Sequence, residues 1–241
     1  MVNPDVLSQP QYEPVFEKNI EMPMRDGTIL RANVTRPNAA GSFPILLERS
    51  PYNKDGGSEI AVGAPEFFAR RGYAVVIQDV RGRFASDGEF YPFKDDGAGV
   101  LRDGYDTIEW LATQPWCNGD IGTIGGSYSG ATQYQAALSR PPHLRAMFVR
   151  ESSADYQREW VYRDGAFELG FSLYWAHVVT ETNLPHLAEG EELERQKRLL
   201  RKAGEEIDDW YAKLQEATGV FFTGGNQLRI SAILGGTRVA K

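Results

Sequence analysis

Apolar and polar residues change rhythm several times along this chain, and each change predicts an element. Residues 15 to 22 and 28 to 36 read as strands separated by Met24-Arg-Asp-Gly27, whose Asp-Gly pair is a turn signal, so an antiparallel hairpin opens the fold. A strand over Phe43 to Arg49 follows, then a helix through Glu66-Phe-Phe-Ala-Arg-Arg71 closed by Gly72, then a buried-type strand, Tyr73-Ala-Val-Val-Ile-Gln78. Between Asp103 and Thr113 the apolar residues Tyr105, Ile108, Trp110, Leu111 and Ala112 have helical spacing, which ends before Pro115. A short strand then runs from Asp120 into a helix after Ser127, which reaches Pro141-Pro142, and Leu144 to Arg150 forms the next strand. A hairpin followed by alternating strands and helices predicts an α/β domain with a mixed, mostly parallel sheet.

From about Asp155 the strand-like runs stop. Trp160, Phe167, Phe171, Tyr174 and Trp175 recur at helical spacing, which predicts a helical insertion whose aromatic stripe is core or lines a pocket. Glu189 to Leu214 reads as a charged helix or helix pair, with Leu193, Leu199, Leu200, Ile207, Trp210 and Leu214 on its apolar face. Its many charges read as a solvated surface. The expected division is therefore 1–154 for the α/β core, 155–215 for a helical cap and 216–241 for a tail.

Composition narrows the function classes. The formal net charge of −7 argues against a nucleic-acid partner, because phosphate binding gathers Lys and Arg on one face. No apolar run approaches the roughly 20 residues that span a bilayer, and residues 1–13 lack the basic-then-apolar order of a secretory signal. The expectation is a cytoplasmic protein without a membrane partner. One cysteine, Cys117, excludes an internal disulfide and a multi-cysteine metal site, and it reads as a packing or surface residue.

The chemistry concentrates in Asp120-Ile-Gly-Thr-Ile-Gly-Gly-Ser-Tyr-Ser-Gly130. A serine between a strand and a helix, flanked two residues away on each side by Gly125 and Ser129, has the form of a nucleophile elbow. Such a turn exposes Oγ at a helix N-terminus, where N–H groups stabilise developing negative charge. Two other readings compete. One is a tight packing turn; the other is a dinucleotide fingerprint, with Glu151 about 20 residues beyond Gly130. The latter fails on sterics, because its middle glycine would be Ser127, whose Cβ blocks the approach of a pyrophosphate.

Several further stretches accompany this one in a recognisable order: Met24-Arg-Asp-Gly-Thr-Ile-Leu-Arg-Ala32, Arg49-Ser-Pro-Tyr-Asn-Lys54, Gln78-Asp-Val-Arg-Gly-Arg-Phe-Ala-Ser-Asp-Gly-Glu-Phe90, Asp103-Gly-Tyr-Asp-Thr-Ile-Glu-Trp-Leu111 and Gln114-Pro-Trp116. Together they make the chain resemble the CocE/NonD hydrolases, the cocaine-esterase and X-Pro dipeptidyl-peptidase-like group of serine hydrolases. The resemblance implies an α/β-hydrolase sheet with a helical cap, a small ester, amide or short peptide substrate, and no metal or cofactor. It implies Ser127 as nucleophile, the Tyr52 phenol as one oxyanion donor and the backbone N–H of Tyr128 as the other. Asp79, Arg81 and Asp87 are expected to brace the Tyr52 loop by ion pairs, with an anion clamp at Arg81 as the alternative.

The family completes its triad with an aspartate and a histidine beyond the cap, and neither has an evident counterpart here. His143 is expected at the far end of its strand from Ser127, and His177 and His186 fall in the cap as packing or surface residues. The expected sheet lacks its final strands and leaves the edge beside residues 144–150 uncovered, open to self-association. Residues 216–241 depart from the family and resemble instead a fragment of a cyanophycinase, with a junction near Leu214 to Glu216; a divergent last strand of the hydrolase is the alternative. The two function readings are thus a serine hydrolase, and a non-catalytic remnant or fragment that needs a partner to supply the triad.

Overall fold

The computed structural model describes residues 8–56, 64–97, 99–163 and 165–216. It divides into two compact units, Met1–Ser152 and Ser153–Lys241.

Unit one is built on a six-stranded sheet. Strands β1 (Pro14–Pro23) and β2 (Ile29–Pro37) form the hairpin across the Asp26-Gly27 turn, where Met24 N–H donates to Thr28 C=O and Gly27 N–H to Met24 C=O. Then come β3 (Phe43–Ser50), helix α1 (Ala64–Ala69), β4 (Ala74–Asp79), α2 (Asp103–Ala112), β5 (Cys117–Gly126), α3 (Ser127–Leu138) and β6 (Leu144–Arg150). The strand order is β1-β2-β4-β3-β5-β6. The β1–β2 and β2–β4 pairs are antiparallel and the other three are parallel, which is the expected mixed sheet.

Strand β4 lies inside the sheet and is buried at all six positions, which explains its unbroken apolar run Ala74-Val-Val-Ile77. The main core gathers Leu30, Val34, Ile45, Leu47, Val76 and Ile121 from the strands with Ile108 and Leu111 from α2. Each such side chain contributes about 1.5–3 kcal/mol by leaving water. Parallel pairing has a further consequence: β3, β4, β5 and β6 all end on the same edge, so the loops after Ser50, Asp79 and Gly126 converge there.

Two boundaries differ from the sequence reading. Strand β5 starts at Cys117, three residues before Asp120, because Phe43 N–H bonds Trp116 C=O and pairs with Cys117 across a register shift. The second difference lies in unit two, where strands were not expected. After the short helix α4 (Tyr156–Glu159), Tyr162–Arg163 (β7) and Ala166–Phe167 (β8) form a small antiparallel hairpin. The Asp-Gly dipeptide between them is a turn signal that the aromatic spacing masked, and Tyr162 and Phe167 face each other with ring centroids 5.4 Å apart.

The rest of unit two is α5 (Leu169–Leu187) and α6 (Gly190–Glu216), a single 27-residue helix rather than a pair. Glu192–Arg195, Glu194–Lys197 and Lys202–Glu206 ion pairs run along it, as a solvated charged face requires. The aromatic stripe is only partly core: Phe171 is 45% and Tyr174 72% exposed. No helix among the described residues is long and apolar enough to cross a membrane. Residues 217–241, to which the cyanophycinase-like reading applies, lie outside the described residues.

The loop before α2 is fitted closely to α3. A Cβ on Gly97 would stand 1.9 Å from the backbone carbonyl oxygen of Gln135, and Ser139 Oγ donates to Gly97 C=O at 2.7 Å. Neither backbone can yield without breaking α3, so Gly97→Ala should lower stability by about 2 kcal/mol or more, measured as the shift in urea unfolding midpoint.

Candidate active site

Ser127 opens α3 directly from the end of β5 and has φ +51°, the left-handed conformation that costs a residue with a Cβ about 1 kcal/mol or more. The turn is possible only because its neighbours are small. A Cβ on Gly125 would lie 2.5 Å from Ser129 Cβ, and one on Gly130 would lie 2.5 Å from Ser152 Cβ. This is the physical content of the small residues flanking the serine. Ser127 itself is half-buried, so its hydroxyl can be reached. The N-cap of α3 is Gly126, which has no side chain to cap the helix.

Tyr52 arrives on the same sheet edge. The β3–β5 register sets Leu47 against Thr123, and continued by three residues it sets Ser50 level with Gly126. Tyr52 follows two residues on; its N–H donates to Ser50 Oγ at 3.2 Å. Its ring meets the Tyr128 ring edge-on with centroids 6.4 Å apart. Ser127, Tyr128 and Tyr52 are therefore brought together, from residues 75 positions apart in sequence.

Buried charges hold this edge. Asp79, at the end of β4, accepts from the Lys54 N–H at 2.8 Å and the Ala85 N–H at 3.2 Å, and Lys54 Nζ lies 3.6 Å from it. Lys54 also pairs with Asp55 at 3.3 Å. Burial pushes the Asp79 carboxyl above the usual carboxylate range, against the pull of those two N–H groups and the Lys54 charge. The loop that presents Tyr52 is thus pinned to the neighbouring strand. Arg83 pins it from another side: it is 1% exposed, its Nε donates to Pro51 C=O at 2.9 Å, and its guanidinium lies over the rings of Phe84 and Phe90. Burial lowers it to about 10 despite attraction from Tyr128, Asp79 and Tyr52.

Of the three residues expected to brace the Tyr52 loop only Asp79 does so, through Lys54, while Arg81 and Asp87 pair elsewhere. Arg81 is held by Asp103 at 2.7 Å and Asp26 at 2.8 Å, so its charge is already satisfied and an anion clamp is excluded; Asp87 pairs with Arg31. Sequence reading also missed Glu48, which is fully buried and accepts from Ser129 Oγ at 3.1 Å, and Asp96, which pairs with Arg49 at 2.9 Å. A signal existed: Glu48-Arg49 is a pair of charges at the end of the apolar run Ile45-Leu-Leu47. Charges there are paid for only at a built site.

The histidines divide. His143 stands just before β6 and its Nδ1 lies 2.8 Å from Glu109. Pairing sets Leu144 against Ile121 and Arg150 against Gly126, so His143 and Ser127 are separated by the strand's length, roughly 20 Å. His177 and His186 belong to α5 in unit two. Cys117 is half-buried, with Sγ accepting from Gly119 N–H at 3.3 Å, and burial pushes its thiol up. No group of three or more metal-ligating side chains is gathered among the described residues.

Asp26 gives the braces a pH signature. Its hydrogen bond to Arg81 lowers its pKa to about 2 against partial burial, so the bond stabilises the fold above pH 4 and is lost as pH falls towards 2. Asp26→Asn should therefore lower the thermal midpoint by several degrees at pH 7, and the difference from the unaltered chain should close between pH 4 and pH 2, read by circular dichroism.

Comparison with known proteins identifies the family. The family model described as X-Pro dipeptidyl-peptidase (S15 family) matches residues 26–226. The chain is 43% identical over 164 residues to the cocaine esterase of Rhodococcus sp. (strain MB1 Bresler), covering 67% of this chain and 28% of that one. Among solved structures it resembles a CocE/NonD family hydrolase from Staphylococcus aureus, with TM-score 0.65 and 28% identity, covering 81% of this chain and 41% of that one. It also resembles an α-amino acid ester hydrolase, with TM-score 0.57 and 28% identity, covering 72% of this chain and 32% of that one. The chain thus spans less than half the length of each of these relatives. The sheet order, the strand-to-helix serine and a match across 201 of 241 residues lead to one assignment: the chain belongs to the X-Pro dipeptidyl-peptidase (S15) family of CocE/NonD-type α/β-hydrolases.

Proposed function

We propose that this chain carries the nucleophile and oxyanion hole of a serine hydrolase that cleaves a small ester, with amide or short peptide substrates open to the same chemistry. The observation that carries the reading is the convergence of Ser127, held at φ +51° on the strand-to-helix turn, with Tyr52 and Tyr128 on one sheet edge. Ser127 Oγ attacks the acyl carbonyl as its proton passes to a histidine. The Tyr128 N–H and the Tyr52 phenol O–H donate to the resulting oxyanion. The carbonyl–alkoxide bond then breaks, the proton goes to the departing alcohol, and water releases the acid from Ser127 by the same steps in reverse. The similarity to cocaine esterase and to an α-amino acid ester hydrolase supports an ester ahead of an amide. Within the cell, the cytoplasm is the compartment we propose, on the lone cysteine Cys117.

The base is the open position in this scheme. His143 is engaged by Glu109 at the far end of β6, and unit one holds no other histidine. A second reading has its own observation. Strand β6 is the last of the sheet among the described residues, with Met147 41% and Phe148 58% exposed. A sheet edge in that state favours a fragment whose triad acid and histidine come from polypeptide docking beside β6.

Labelling of the 241-residue chain with a fluorophosphonate probe separates the two. The hydrolase reading expects labelling that Ser127→Ala abolishes and that Tyr52→Phe slows by about 100-fold, the usual cost of one oxyanion donor. A folded chain that stays unlabelled overturns it in favour of the fragment.

A further inference from the structure

The turn at Ser127 is built from small residues packed in close contact. Gly125 and Gly126 precede it, Gly130 follows two residues after Tyr128, and the serine stands in a strained conformation. An oxyanion donor carried on such a turn must be held to a fraction of an ångström. The contacts of Gly125 with Ser129 and of Gly130 with Ser152 set how closely α3 approaches β5, and the Tyr128 side chain adds a further constraint on where its own N–H stands.

The Tyr128 side chain is closely held. It is 1% exposed. Its phenol oxygen accepts from the Phe93 N–H at 2.9 Å and donates to Asp96 Oδ2 at 3.5 Å. The Phe93 ring stacks on it with centroids 4.1 Å apart, and Phe90 and Tyr52 flank it at 6.4 Å. Asp96 is in turn fixed to the sheet: Arg49 Nη1 on β3 donates to Asp96 Oδ1 at 2.9 Å, and Arg49 Nε donates to Gln78 on β4 at 2.7 Å. Gln78 also accepts from Thr107 on α2 at 3.1 Å. The segment that carries Phe93 and Asp96 closes onto α3 again at Gly97, against the Gln135 carbonyl.

We infer that the Tyr128 phenol, through Phe93 and Asp96, sets the position of the backbone N–H of the same residue, so that Tyr128 and Asp96 are positioning residues for the oxyanion hole. The inference deepens the proposed function and rests on its assignment of the Tyr128 N–H as a donor. It explains why a full-sized aromatic occupies a helix start that otherwise selects for small residues. It also gives the buried Arg49–Asp96 pair a task beyond stability.

Tyr128→Phe is the primary variant, because it removes only the hydroxyl and keeps the ring stack. Asp96→Asn is the second; it leaves Arg49 buried without its carboxylate, and Arg49 Nη2 already lacks a partner among the described residues, so it is the variant at risk of not folding. In Tyr128→Phe we expect kcat on a small ester to fall about tenfold with KM unchanged, and amide hydrogen exchange across 127–130 to quicken about tenfold, while the unfolding midpoint moves little. The double variant should lose no more than the worse single one. A merely structural hydroxyl would shift the midpoint and leave kcat of the folded protein alone. The exchange measurement needs no activity. If the unaltered chain fails to react with fluorophosphonate but exchange at 127–130 quickens in Tyr128→Phe, the hydrolase reading falls and the anchor stands. If the chain reacts and the variant matches it in both rate and exchange, the anchor is overturned and the hydrolase stands.

Discussion

Everything at the candidate site depends on how closely α3 approaches the end of β5. Gly125 and Ser129 are in mutual contact with no room for one further carbon, and Gly130 is in the same relation to Ser152. That contact is what drives Ser127 into the left-handed region and turns its hydroxyl out of the sheet. The strain is local, of order 1–3 kcal/mol, and is affordable because the strands beneath it form a continuous apolar core. A larger side chain at either contact would relieve the strain by letting the helix slide away, and the serine would become an ordinary first-turn residue.

Around this turn the fold places charges where apolar side chains would give more stability. Lys54 with Asp79, Arg81 with Asp26 and Asp103, and Arg49 with Asp96 are all largely or wholly buried at one edge of one sheet. Desolvating such pairs costs several kcal/mol per ion, and the attraction between partners only about offsets it. Their common feature is that each ties a loop to a strand or helix that ends nearby. Hydrogen bonds are directional and packing is not, so charged pairs fix the angle of a loop where packing would fix only its depth. Tyr52 and Tyr128, both flanked by such pairs, show the result: two aromatic rings edge to edge, one contributed by a loop and one by a helix.

The two units differ in how their residues are used. In unit one, apolar runs are buried and charges are paired across elements. In unit two, α6 pairs its charges within its own turns, and α5 leaves Phe171 and Tyr174 exposed. A helix apolar on several sides ordinarily belongs inside a larger structure. The chain covers 41% and 32% of the two solved relatives.

The sequence by itself determined the element order, the hairpin at Asp26-Gly27 and the elbow at Ser127, because each depends on neighbours within a few residues: a period of apolar positions, a turn dipeptide, small residues beside a serine. Tyr52 was marked only by the family resemblance that Arg49-Ser-Pro-Tyr52 carries. The sequence did not reveal the partners of Arg81, the burial of Glu48, or the clamp of Asp96 and Phe93 on Tyr128. Those join residues 22 to 81 positions apart, and an acid in a loop reads the same whether solvent or a buried arginine faces it. The small hairpin at 162–167 escaped for the opposite reason, since two residues per strand are too few to carry a period. Only the parallel register of β3, β4 and β5 decided which loops meet, and hence that Tyr52, Asp79 and Ser127 share one edge while His143 lies at the other.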